Sequence, residues 1–143
     1  MIDIFNMVFD TVFNAIKAVD DDADIMDVPA EMFAKYPAVT VRETNNTPVR
    51  RTRTDDCSEN HSRLSYEIRI YCNDAKGAKA HAKKIFQAAD AAMQGMKFYR
   101  TLKKELPNQD RTVFVIYGRW EVIVGQPEEI NGNTVYQMYR SDS

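Results

Sequence analysis

Few side chains in this sequence are equipped for chemistry, and their spacing organises none of them into a catalytic set. There are two histidines, His61 and His81, and two cysteines, Cys57 and Cys72. Nucleophilic catalysis needs a base held against the nucleophile, and neither histidine sits in a recognisable catalytic motif, so both read as surface residues. Cys57 lies in a polar stretch. Cys72 continues an apolar alternation and reads as a small buried hydrophobe, and the pair matches no zinc-ligand spacing. Five glycines at 77, 95, 118, 125 and 132 are too dispersed for a phosphate-cradling loop. Glu128 and Glu129 flank a turn, while Glu121 beside Arg119 reads as one half of a cross-strand ion pair. Asp20, Asp21, Asp22 and Asp24 lack the alternating ligands, glycine and closing glutamate of a calcium loop, and read as a solvated connector. The expectation is a protein that is not an enzyme and uses no cofactor or metal.

The basic residues fall into two groups. Lys76, Lys79, Lys83 and Lys84 coat one side of a helical segment, and Arg50, Arg51 and Arg53 decorate a polar, threonine-rich stretch. Either group could hold phosphates. The lysine helix carries no interleaved aromatics on which bases would stack, which favours a solvated face, and a small nucleic-acid-binding protein using helix 76–84 stands as an alternative. The arginines suit docking against carboxylates of a neighbour, with the loop ordering on contact. A formal charge of −2 and an isoelectric point near 5.7 supply no global attraction for nucleic acid or anionic lipid.

Positioning these residues takes one domain, 1–143, since 143 residues and 16.5 kDa enclose a single core. The N-terminal segment, 1–20, repeats Phe5, Val8, Phe9, Val12, Phe13, Ile16 and Val19 at three- and four-residue steps, an amphipathic helix with a wide apolar stripe. Asp3, Asp10 and Lys17 interrupt it, so no membrane span is expected, and it lacks a signal peptide's basic leading region. A connector runs to about Pro37. Ala38 to Thr44 reads as a strand, and 45–60 as a flexible loop or extended hairpin arm, long enough to suggest a role. From Ser62 to Cys72 the residues Leu64, Tyr66, Ile68, Ile70 and Cys72 alternate with Arg63, Ser65, Glu67, Arg69 and Tyr71, a half-buried strand. Asn73 or Asp74 then caps a second helix with a stripe of Ala78, Ala82, Ile85, Phe86, Ala89 and Met93, ending near Gly95.

Phe98 to Leu106 reads as a strand, followed by a turn at Pro107–Asp110 and a strand from Arg111 to about Val124. Asn131-Gly132 signals a hairpin before a last strand, Thr134 to Arg140. The whole is an α+β domain: a mainly antiparallel sheet of four to five strands with two helices packed on it. Apolar surface is over-supplied. Phe114, Ile116, Trp120, Val122 and Val124 claim one side of the long strand, while Val113, Val115, Tyr117 and Ile123 claim the other, with Gly118 a bulge or close-approach point. Phe5, Phe9, Val113, Val115 and Tyr117 are therefore candidates for a seam between subunits, unless the N-terminal helix covers the second face within one chain.

Three stretches together resemble the tail terminator, or tail completion, proteins of tailed bacteriophages. They are Tyr36-Pro37-Ala38-Val39-Thr40-Val41-Arg42-Glu43 followed by Asn45; Tyr66-Glu67-Ile68-Arg69-Ile70-Tyr71 followed by a helix rich in lysine and alanine; and Met96-Lys97-Phe98 leading to Pro107-Asn108 and Val113-Phe114-Val115-Ile116-Tyr117-Gly118-Arg119-Trp120. The likeness spans roughly residues 36–124. It implies an α+β subunit that closes into a hexameric ring on the tail tube, ends tube polymerisation and joins the tail to the head–tail connector proteins. A head-side adaptor or stopper is the neighbouring alternative. The resemblance further implies a virion protein of the tail end or neck, assembled in the bacterial host cytoplasm, whose lumen passes DNA without reading it. On this reading Arg50, Arg51 and Arg53 reach the tail tube protein or an adjacent subunit, the strand Phe114–Trp120 forms the core and part of the seam, and the helix lysines face away from the lumen.

Overall fold

Wherever apolar residues recur at helical spacing the chain forms a helix, and wherever they alternate it forms a strand. The computed structural model describes residues 1–27, 35–49, 61–73, 77–106 and 113–139. Helix α1 (Phe5–Val19) buries Val8, Val12 and Ile16, one residue per turn. Its first turn is tied by the Phe5 N–H donating to the Asp3 carboxylate at 3.0 Å. At its other end the Lys17 ammonium donates to the Asp21 carbonyl at 3.0 Å and the Ala23 carbonyl at 2.6 Å, which fixes the aspartate turn.

Helix α2 (Ala78–Gly95) buries Ala82, Ile85, Phe86, Ala89 and Met93, the stripe read from the sequence. It ends at Gly95 as expected, but its start differs. Gly77, in the left-handed region at φ 88°, precedes the first helical residue where Asn73 or Asp74 was expected to cap. Asp74 lies outside the described residues. The stop is built two residues beyond Gly95: Lys97 takes φ 69°, its N–H bonds the Gln94 carbonyl at 2.9 Å, and the Phe98 N–H bonds the Met93 carbonyl at 3.0 Å. That reciprocal pair is a Schellman termination, which usually recruits glycine at the position Lys97 holds.

The strands are β1 (Asp24–Met26), β2 (Ala38–Pro48), β3 (His61–Cys72), β4 (Tyr99–Leu106), β5 (Phe114–Gly125), β6 (Glu128–Ile130), β7 (Asn133–Val135) and β8 (Met138–Tyr139). The main sheet runs β1-β2-β3-β5-β4, with β8 paired to β5, and it curls into a half-barrel. The fold is thus α+β with a predominantly antiparallel sheet, as the patterning requires, and among the described residues only the β1–β2 pairing is parallel. Residues of α1 and α2 share one core cluster with Leu64, Tyr66, Ile68 and Ile70 of β3 and Ile116, Trp120, Val122 and Val124 of β5.

Three further differences have local causes. β1 falls inside the stretch read as a connector, because a three-residue strand is too short to show a period. β2 continues through Pro48 into the stretch read as a flexible arm; a bulge between Glu43 and Asn45 breaks the alternation that marks a strand, and the remaining pairs run from Asn45↔Ser65 to Pro48↔Ser62. Residues 50–60 of that arm lie outside the described residues. The last expected strand divides in two: β7 closes a hairpin on β6 across Asn131 and Gly132, at φ 52° and 80°, whereas β8 joins β5.

A second bulge, between Arg100 and Leu102 of β4, lies opposite Trp120 and Arg119. The β2 bulge faces Tyr66 and Ser65, which pair with Trp120 and Glu121. Both irregularities therefore cross the sheet at one level and crease it there. Into that crease the Trp120 ring lies back over Gly118, where an added Cβ would sit 2.4 Å from the ring and 2.7 Å from Phe86. The indole N–H donates to the Asp90 carboxylate at 3.0 Å, and Arg100 holds the same carboxylate at 2.9 Å. Gly118→Ala should destabilise the domain by about 1–3 kcal/mol through overpacking, read as a lower urea midpoint at unchanged slope.

Candidate assembly surface

Cross-strand register places three rows of side chains on the face of the sheet away from the core cluster. Tyr71, Val115 and Leu106 form one row; Arg69, Tyr117 and Lys104 the next; Glu67, Arg119 and Leu102 the third. In this lattice the Glu67 carboxylate is nearly buried, with a side-chain exposure of 9%. A buried carboxylate is tolerable only with donors on its oxygens. Arg69 Nε supplies one at 2.7 Å and the Tyr117 hydroxyl donates to the other oxygen at 3.2 Å. Arg119 in turn donates to the Tyr117 oxygen from Nε at 3.2 Å and from a terminal nitrogen at 2.8 Å. Both guanidinium groups lie over the Tyr117 ring, at 5.3 and 5.8 Å from its centroid. Burial opposes the Arg69 charge, but Glu67 and a hydrogen bond with Tyr71 outweigh it and hold its pKa above the ordinary value.

Arg69, Leu102, Lys104, Leu106, Tyr117 and Arg119 line a cleft of about 200 Å³. Next to it, Thr44, Asn45, Ser65, Arg119 and Glu121 line a polar groove of about 310 Å³, so Arg119 stands between the two. The cross-strand ion pair expected at Glu121 is not found among the described residues: Glu121 accepts from the Ser65 hydroxyl of β3 at 3.4 Å, and Arg119 holds Tyr117.

The sequence-derived seam candidates separate. Val113, Val115 and Tyr117 are 7%, 4% and 4% exposed in the single chain, so this face is packed within the subunit and they offer little area to a neighbour. α1 does not cover them, since it belongs to the core cluster on the other face. Phe5 and Phe9 are partly buried and pack against the core cluster. With Phe13 they form a ladder along α1 at one-turn spacing, ring centroids 5.8 and 6.2 Å apart, and Phe5 also stacks on Tyr66 at 6.4 Å. Arg50, Arg51 and Arg53 lie outside the described residues, as do Cys57 and Lys76.

Lys79, Lys83 and Lys84 are exposed, and Lys79 lies 3.6 Å from Glu105. Cys72 is buried, as its alternation requires. The histidines are more engaged than surface residues would be. His81 Nε2 contacts the Asp20 carboxylate, clasping the end of α1 to the start of α2, and the His61 ring packs against Tyr139 at 5.8 Å. Sequence reasoning passed over Glu67 and Asp90. The available signal for Glu67 was an acid flanked by Ile68 and Tyr66 in a strand with arginine two residues on, a pattern that wants internal pairing. Among the described residues no group of three or more histidine, cysteine, aspartate or glutamate side chains could hold a metal ion.

No protein-family model and no curated protein matches this chain.

Two outcomes follow for the polar groups. Tyr117→Phe removes one donor from a buried carboxylate and should cost about 1–3 kcal/mol in urea unfolding. Glu43 is the second case: its pKa is raised above 4.5, first by burial and then by Asp3, against a lowering hydrogen bond from Tyr66, whose own pKa is pushed up by burial and by Glu43. The folded protein therefore binds this proton more tightly than the unfolded chain. Its contribution to stability is present below that value and lost as pH rises through the folded pKa. Glu43→Gln should make the decline in unfolding free energy as pH rises above 4.5 shallower than in the wild type.

Proposed function

We propose that this protein is a non-enzymatic assembly subunit, a virion component of the tail terminator kind, that closes into a ring with copies of itself and caps a tail tube. The observation that carries the reading is the aromatic ladder Phe5, Phe9 and Phe13 on α1, packed against the core cluster yet only partly buried. Stacked phenylalanines left partly in water are a costly surface for a lone subunit and a ready anchor for a partner. The α+β sheet with two helices on one face also agrees with the subunit architecture that the resemblance implies. In this role the connector proteins and the tube protein are the further partners, and DNA crosses the lumen unread.

A rigid creased sheet suits such a task. Ring closure requires every contact to repeat one rotation, and a deformable subunit would not hold it. Native mass spectrometry should give a multiple of 16.5 kDa for the wild type. Phe9→Asp should shift the population towards the single-chain mass while far-ultraviolet circular dichroism is unchanged. A wild type that stays at the single-chain mass at every concentration, alone and with its tube protein, overturns the reading.

A further inference from the structure

We infer that the cleft between Arg69, Lys104 and Arg119 takes the carboxylates of Asp21 and Asp22 from a second copy of this chain, so that ring contacts run head to tail from one sheet edge to the other. The inference rests on the self-assembly reading above and specifies its contact.

Charge accounting on the cleft comes first. Three cations meet there with one carboxylate, and both Glu67 oxygens are already engaged, one by Arg69 and one by the Tyr117 hydroxyl. Lys104 is exposed, and neither it nor Arg119 has a carboxylate partner among the described residues. Because Tyr117 pins Arg119 through two nitrogens and Glu67 pins Arg69 through Nε, the guanidinium planes are set before any ligand arrives. Preset guanidinium groups suit planar carboxylates and lose less freedom on binding. Leu102, 37% exposed, and Leu106 give the rim an apolar character that fits a protein segment better than a free ion.

The acidic turn after α1 is the complement. Asp20 is occupied by His81, and its other oxygen accepts the Asp22 N–H at 2.9 Å. Lys17 clamps the turn through the Asp21 and Ala23 carbonyls and leaves the carboxylates alone. Asp21 and Asp22 are thus exposed on a fixed turn, with no cation on either side chain among the described residues.

Topology then decides the mode of contact. The turn leads into β1, one edge of the sheet, whereas Lys104 sits on β4, the opposite edge. Four interstrand steps separate the two edges, about 19 Å at the usual spacing. Complementary patches on opposite edges suit a heterologous contact that repeats around a ring.

A charge reversal tests this. Lys104→Glu alone, and Asp21→Lys with Asp22→Lys, should each weaken self-association at least tenfold by sedimentation, with far-ultraviolet circular dichroism unchanged. Combining Lys104→Glu with only Asp21→Lys or only Asp22→Lys leaves the other carboxylate for the arginines, and one of these two pairings should recover association, while salt should weaken the wild type. If the wild type assembles and either reversal leaves it intact, or if neither pairing recovers association, this inference falls while the ring reading stands. Should Lys104→Glu instead abolish retention of duplex DNA and spare assembly, the cleft belongs to phosphate and the inference is overturned. A wild type that never assembles removes the parent reading as well.

Discussion

The antiparallel pairing of β3 with β5 is the constraint on which the rest depends. Twelve cross-strand pairs, from His61↔Gly125 to Cys72↔Phe114, join the two strands along their full length. A slip of one residue would turn Leu64, Tyr66, Ile68 and Ile70 away from the helices and put Glu67 and Arg69 into the core. The register is therefore held by burial on one side and by the Glu67–Tyr117–Arg119 bonds on the other. With it set, Trp120 falls beneath α2 within reach of Asp90, and the two bulges line up across the sheet.

The same pairing separates the molecule's two chemistries. One face is a dry core in which Tyr66, Phe98, Phe86 and Trp120 meet edge to face or tilted, with Gly118 leaving room for the indole. The other face mixes valines with a hydrogen-bonded acid and arginines, so its buried charge is internally matched while its outer cations remain available. In the assembly role proposed above, the core would supply stiffness, and edges of opposite charge would supply directed, salt-sensitive contacts of modest individual strength that add around a ring.

Much of the fold was legible in the sequence because it is written in local periods. The stripes of α1 and α2, the alternation of β3 and the Asn131-Gly132 hairpin each follow from spacing that one turn or one pleat dictates. Irregular positions were not legible. The bulge after Glu43 conceals four further strand residues, Lys97 terminates a helix in a conformation that favours glycine, and β1 is too short to display a pattern. Of the candidate surface, the apolar excess of α1 was legible in the spacing of Phe5 and Phe9, whereas the burial of Val113, Val115 and Tyr117 within one chain was not, because apolar content does not reveal whether a chain covers its own second face.

By itself the sequence determined which residues would be helical or extended and which side of each element would seek the core, since those preferences act between neighbours along the chain. Only the tertiary structure decided that β5 lies between β3 and β4, that Glu67 finds Tyr117 fifty residues away, and that Arg69, Lys104 and Arg119 border one cleft. Those outcomes depend on which strands share a ladder, a choice made by the total burial of the assembled sheet and invisible to any single segment.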